Sequence, residues 1–295
     1  MAYLQVFLEL DASDAQAAED VLVEGGALAV TLRDPGGEPV LEPGPGESPL
    51  WPTLHLCALF PDSMDTAALR RRAAAALGEA VLASWHQEVL EDQVWERVWM
   101  DDFTPMPFGD RLWICPSTHS VDTPGAVVVH LDPGLAFGTG THPTTALCLR
   151  WLDGQDLTGQ RILDLGCGSG VLAIAALLLG AEQAIGIDND PQALTASRDN
   201  AVRNKVGERL SLLDAEAPCD GGFDIVVANI LSSILIRLQP RVAAMLRPGG
   251  RLALSGILDS QVEDVVEVYA TEFDLDPPQQ DGDWMLVTGR RRAGV

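Results

Sequence analysis

Residues 162–170 read Ile162-Leu163-Asp164-Leu165-Gly166-Cys167-Gly168-Ser169-Gly170, an apolar run entering three alternate glycines, followed by the apolar stretch from Val171 to Ala181. A buried strand that turns through glycines into a helix is the opening unit of a doubly wound α/β sheet. The pattern continues downstream. From Leu157 onward the periodicity predicts strands at Arg161–Leu165, Ala184–Asp188, Leu210–Leu213, Ile225–Asn229 and Arg251–Ser255. Helices are predicted between and after them at Val171–Leu179, Pro191–Asn204, Ser233–Met245 and Ser260–Glu272. Such alternation requires a mostly parallel sheet with helices on both faces. Two last strands, Phe273–Asp276 and Met285–Gly289, have no helix between them, so one is expected to run antiparallel at the sheet's end.

The first hundred residues follow a different plan. Strands are expected at Tyr3–Leu10, Leu28–Leu32, Leu54–Phe60 and His86–Glu91, with helices at Ser13–Leu22 and Thr66–Leu77. The order β-α-β-β-α-β is that of a small ferredoxin-like α+β domain. Pro35 to Pro52, rich in proline and glycine, is expected as a loop. Residues 93–100 read as a linker helix with Trp95 and Trp99 on one face, broken by Phe103-Thr104-Pro105-Met106-Pro107. Arg111–Cys115 and Val127–Leu131 are strand-like. These features divide the chain into a domain at 1–92, a linker and hinge at 93–110, and a second domain at 111–295.

The glycine spacing narrows the ligand. The dinucleotide pattern G-x-G-x-x-G fails, because Val171 stands at its sixth position and the third glycine arrives one residue early, at Gly170. The phosphate-loop pattern fails too, for want of a following Lys-Ser/Thr. Gly166 and Gly168 still permit a ligand to approach the backbone closely. Asp188 ends the next strand about 20 residues on, where a carboxylate reaches a ribose hydroxyl pair. Asp190 is the better cap for the helix opening at Pro191, which frees Asp188 for that role. Asp214 is either an adenine contact or a turn carboxylate. Asn229 closes an apolar strand although Ser232 and Ser233 already offer helix caps, so it reads as a site residue. Finally, Leu131-Asp132-Pro133-Gly134-Leu135-Ala136-Phe137-Gly138-Thr139-Gly140-Thr141-His142-Pro143-Thr144-Thr145 crowds glycines and hydroxyls into one segment. Such a segment suits folding over a cofactor, with Phe137 as a wall and His142 as either a proton acceptor or a structural residue.

Bulk properties exclude several classes. Five scattered cysteines, none spaced C-x-x-C, and five histidines without H-E-x-x-H give no disulfide framework and no metal site. No apolar run reaches the roughly 18 residues of a membrane span, and no secretory signal opens the chain, so a cytoplasmic protein is expected. The net charge of −24 disfavours free nucleic acid as a partner. It serves solubility or attraction to a basic protein.

With these motifs in view, nearly the whole chain resembles the methyltransferases of large-subunit ribosomal protein eleven (PrmA type). The segment from Leu131 to Thr145 is close to a signature of that family, and Asn229-Ile230-Leu231 is similar to it. The glycine loop alone marks the wider class-I, Rossmann-like methyltransferases. The resemblance implies a substrate-recognising N-terminal domain and a flexible linker to an S-adenosylmethionine-dependent catalytic domain. It implies methylation of lysine side chains and the α-amine of a basic ribosomal protein, with S-adenosylhomocysteine as the product. Thr145, Gly166, Asp188 and Asn229 would contact the cofactor, with Gly168 from the loop beside them. Asn229, Phe137 and His142 are the catalytic candidates, a monomer is expected, and no metal is. The competing readings are an amine methyltransferase for another basic protein, a nucleotide-dependent oxidoreductase, and a non-catalytic cofactor-binding assembly factor.

Overall fold

A computed structural model describes residues 2–34, 36, 51–90, 103–132, 138 and 140–294. The expected linker helix at 93–100, with Trp95 and Trp99, lies outside the described residues, as do most of the 35–52 loop and Phe137. The contacts divide the chain into two compact units, Met1–Trp95 and Glu96–Val295.

In the first unit, β1 (Tyr3–Asp11) leads through a 3₁₀ turn into α1 (Ala15–Glu24), then β2 (Ala29–Arg33), β3 (Thr53–Pro61), α2 (Thr66–Leu77) and β4 (His86–Leu90). The sheet order is β2-β3-β1-β4, antiparallel throughout, which is the ferredoxin-like arrangement. Alternation fixes its buried face. Leu4, Val6, Leu8 and Leu10 of β1 and Leu54, Leu56, Ala58 and Phe60 of β3 pack with Leu22 of α1 and Leu69 of α2. Asp65 starts α2 where the sequence indicates, its carboxylate accepting from the amides of Ala67 and Ala68.

The second unit begins with a small three-stranded sheet of β5 (Met106–Phe108), β6 (Leu112–Cys115) and β7 (Val127–His130). Then come α3 (Pro143–Asp153), β8 (Arg161–Leu165), α4 (Val171–Leu178), β9 (Gln183–Asp188), α5 (Pro191–Arg203), β10 (Leu210–Asp214) and β11 (Phe223–Asn229). The chain closes with α6 (Ser232–Met245), β12 (Leu246–Leu258), α7 (Val262–Tyr269), β13 (Phe273–Leu275), β14 (Gln279–Asp281) and β15 (Trp284–Arg291). Helix α3 and strands β5 and β14 are not among the expected elements. The segment ending at Thr145, expected as loop to its end, enters α3 at Pro143.

The main sheet runs β10-β9-β8-β11-β12-β15-β13, with β14 paired to β15. The strands from β10 through β12 are parallel, and β15 is antiparallel to both β12 and β13, as the missing helix requires. Successive strand residues face opposite layers. Ile162 of β8 and Val227 of β11 pack with α3, α4 and α5, whereas Leu163 and Val226 pack with α6 and α7. Helix α4 is apolar over its whole length because the sheet, α3 and its neighbours enclose it. Strand order reverses between β8 and β11, and a crevice opens beyond the carboxyl ends of strands at such a switch point. Gly166 follows one of these strands and Asn229 ends the other.

Candidate functional site

The glycine loop is built by its backbone angles. Gly166, Gly168 and Gly170 all have positive φ (76°, 54° and 77°), a region costly for any residue with a Cβ. A Cβ on Gly166 would also collide with the Ile230 side chain, and one on Gly170 would lie 2.8 Å from the Ser197 hydroxyl. The loop is further held by hydrogen bonds. The Gly168 amide donates to Asp188 Oδ2 at 2.8 Å, and the Ser197 hydroxyl donates to the Gly168 carbonyl at 2.7 Å.

Asp188 is half-buried and already engaged through both oxygens, Oδ1 accepting from the Asp190 amide at 3.0 Å. Each carboxylate oxygen retains a second lone pair, so two further hydrogen bonds remain possible. Asp190 caps α5 by accepting from the Gln192 amide at 2.8 Å, as expected from the sequence. Asp214 is exposed and accepts from the Glu216 amide at 2.9 Å, a turn carboxylate.

Beside Gly166 and Asp188 lies a cavity of about 160 Å³ walled by Leu165, Ile187, Ala215, Ile230, Ile234 and Leu238. One wall is apolar and one carries a carboxylate, which matches a nucleoside with a flat base and a ribose edge. Spacing alone did not indicate the two residues from α6, Ile234 and Leu238. Their signal was their i, i+4 recurrence on the helix that follows Asn229.

At the other side of the switch point, the Asn229 side-chain amide donates to the Thr145 hydroxyl at 3.1 Å. Thr145 is buried in the first turn of α3. That bond turns Asn229 Oδ1 away from Thr145. His142 is the N-cap of α3. Its Nδ1 accepts from the Thr144 amide at 3.4 Å and lies 2.7 Å from the Thr144 hydroxyl. Its ring meets Trp284 edge-on, with centroids 4.9 Å apart. Burial holds the His142 pKa below its ordinary value, so the ring is neutral near pH 7. A neutral imidazole that accepts at Nδ1 carries its proton on Nε2. With Nδ1 turned to Thr144, His142 caps the helix. The structure brings together Gly166, Gly168 and Asp188 on one side and Asn229, Thr145 and His142 on the other, and Phe137 lies outside the described residues.

A buried carboxylate underlies the loop. Gly170 has no side chain to cap α4, and Asp164 of β8 takes that place, its Oδ2 accepting from the Ala173 amide at 3.1 Å. Its Oδ1 has no hydrogen-bond partner among the described residues, and burial raises its pKa to about 7. Cys167 beside it is pushed up to about 12 by burial and is an inert thiol at neutral pH. No group of three metal-ligating side chains occurs among the described residues, and no described helix is long and apolar enough to cross a membrane.

Comparison with known proteins bears on this arrangement. The sequence profile of a family described as ribosomal protein L11 methyltransferase (PrmA) matches residues 2–292. A relative from Pseudomonas fluorescens named ribosomal protein L11 methyltransferase is 53% identical over 293 residues, covering 99% of this chain and 100% of its own. One of the same name from Pseudomonas paraeruginosa is 54% identical over 296 residues, with the same coverage. Among solved structures, a ribosomal protein L11 methylase from Lactobacillus delbrueckii subsp. bulgaricus aligns with a TM-score of 0.60 and 31% identity, over 65% of this chain and 100% of that one.

Proposed function

Because the chain belongs to the ribosomal protein L11 methyltransferase family, we propose that it transfers methyl groups from S-adenosylmethionine to amino groups of ribosomal protein L11, lysine side chains and the α-amine among them. The observation that carries this reading is the meeting of the glycine loop, Asp188 and the Asn229–Thr145 pair at one switch point. The cavity suits the cofactor's nucleoside: Gly166 gives backbone access, Asp188 has lone pairs for the ribose hydroxyls, and Ile230 and Leu238 offer apolar faces to the base. Supplied there, S-adenosylmethionine presents a methyl carbon made electrophilic by a positive sulfur, which keeps the electron pair of the broken bond.

The protein's own task is to bring a neutral amine in line. A free lysine has a pKa of about 10.4 and is mostly charged near neutrality. Desolvation in an apolar pocket lowers that value, and the positive sulfur nearby lowers it further. Asn229 Oδ1 accepts one N–H of the amine and leaves the lone pair directed at the methyl carbon. With its pKa lowered, the substrate ammonium loses its proton to water before transfer, and the methylated ammonium releases another afterwards, so no dedicated base is required. The family's N-terminal unit would recognise the substrate, residues 93–110 would serve as linker and hinge, and the negative charge of the chain suits a basic ribosomal protein met in the cytoplasm. Phe137 would wall the pocket.

Two measurements test this. Incubation with radiolabelled S-adenosylmethionine and ribosomal proteins should label one small basic protein, with mass spectrometry mapping the methyls to L11 amines. Label on a different basic protein would reassign the substrate, and cofactor binding without any transfer would remove the catalytic claim. Asp188→Ala should weaken cofactor binding about 10- to 100-fold by calorimetry, the loss of hydrogen bonds to a charged group. Unchanged affinity would refute the ribose role.

A further inference from the structure

Helix α5 and its C-cap, Asn204, present a polar stripe to the protein interior. Ser197, Asn200 and Asn204 lie three and four residues apart, on one face, and all are buried. Each holds backbone of another element. Ser197 binds the Gly168 carbonyl, and Asn200 Nδ2 donates to the Ser169 carbonyl at 2.9 Å. Asn204 embraces His130 at the end of β7, accepting from its amide at 2.7 Å and donating to its carbonyl at 2.8 Å. The glycine loop and the start of the segment that leads to α3 thus hang from one helix.

The loop reaches that segment a second time. The Ser169 hydroxyl, 4% exposed, donates to the Gly138 carbonyl at 2.7 Å. The approach depends on a glycine: residue 138 has φ +100°, and a Cβ there would stand 3.0 Å from Ser169 Oγ. Gly140, at φ +90°, fits the backbone against Ile114 and Phe108, and two residues later His142 caps α3. Thr145 follows, bound to Asn229. Contacts at Ser169–Gly138, at Gly140 and at Thr145–Asn229 therefore tie the cofactor loop and the residue that holds the Asn229 amide to one segment.

We propose that Ser169 is a positioning residue for methyl transfer: through Gly138 it sets where Thr145, and with it the Asn229 amide, stands relative to the glycine loop. The inference rests on the roles given above to that loop and to Asn229. A hydroxyl that only satisfied a buried carbonyl would affect stability, and its removal would act on transfer independently of Asn229. A hydroxyl that acts through Asn229 would matter only while Asn229 is present.

The test is a double-mutant cycle in the full-length enzyme, with kcat on ribosomal protein L11 and the dissociation constant of S-adenosylmethionine measured separately. Ser169→Ala should lower kcat about tenfold with cofactor affinity changed less than about threefold. In an Asn229→Ala background the same change should alter kcat less than about twofold. Effects that multiply across the cycle, or a fall in cofactor affinity that matches the fall in kcat, would overturn the proposal. Absence of transfer by the unaltered enzyme would overturn the reading of the site and the inference with it, whereas multiplying effects overturn the inference alone.

Discussion

Asn229→Ala is expected to lower kcat at least about 100-fold while S-adenosylmethionine affinity changes less than about tenfold. The expectation follows from where the side chain is held. Asn229 ends β11 at the switch point, and its amide nitrogen is committed to the Thr145 hydroxyl. Its oxygen therefore has a fixed direction before any substrate arrives, and an acceptor fixed in advance needs no reorganisation during the reaction. Alanine removes the acceptor and lets the amine rotate, so its lone pair seldom lies in line with the methyl carbon. The cavity beside Gly166 and Asp188 is built from other residues, and it should still accept the nucleoside. Single-turnover transfer together with calorimetry separates the two quantities. A rate within twofold of the unaltered enzyme would refute the aiming role. A parallel collapse of affinity would make Asn229 chiefly a cofactor contact.

Asn229 stood out in the sequence because a polar residue closed an apolar strand, although the serines expected to cap the next helix lie inside it, behind Leu231 as an N-cap without a side-chain bond. The same kind of local argument separated Asp188 from Asp190 and found the doubly wound sheet. Local argument failed where packing overrides propensity. Helix α3 opens on Pro143-Thr144-Thr145, and β-branched threonines are poor helix formers. Burial of Leu147, Leu149 and Leu152 in the core outweighs that cost, and His142 with Pro143 was the overlooked start signal. Strand β5 was hidden by Pro107, read as a break. The strand lies at the edge of its small sheet, where a residue without an N–H is tolerated. The support of the glycine loop was illegible for another reason. Ser169 and Gly138 are 31 residues apart, and Asn204 and His130 are 74 apart. No periodicity encodes such pairs.

Asp164 is a second residue whose consequence no local pattern reveals, and its replacement should show a pH-dependent gain in stability. The carboxyl is 0% exposed between two leucines of β8, with Asp188 and the buried thiols of Cys148 and Cys167 nearby and, among the described residues, the Ala173 amide alone as a hydrogen-bond partner. Burial is the largest cause of its raised pKa, about 7 against 3.8 in the unfolded chain, and the negative charge of Asp188 adds to it. The folded protein therefore holds a proton that the unfolded chain has already released. Its contribution to stability is complete below about pH 4 and is lost as the pH rises through about 7. At about 1.4 kcal/mol per pH decade, the full loss is on the order of 4 kcal/mol. Asp164→Asn keeps an oxygen for the Ala173 amide and cannot ionise. Its own stability should lack this slope, so the difference between variant and parent should grow in the variant's favour from pH 4 to pH 7 and level off above about pH 8. The amide's extra N–H in so buried a site adds a constant penalty, so the sign at any one pH carries no information. The slope carries it. Denaturation of both proteins across this range decides the matter, and parallel curves would mean that Asp164 titrates in the folded state as it does in the unfolded one.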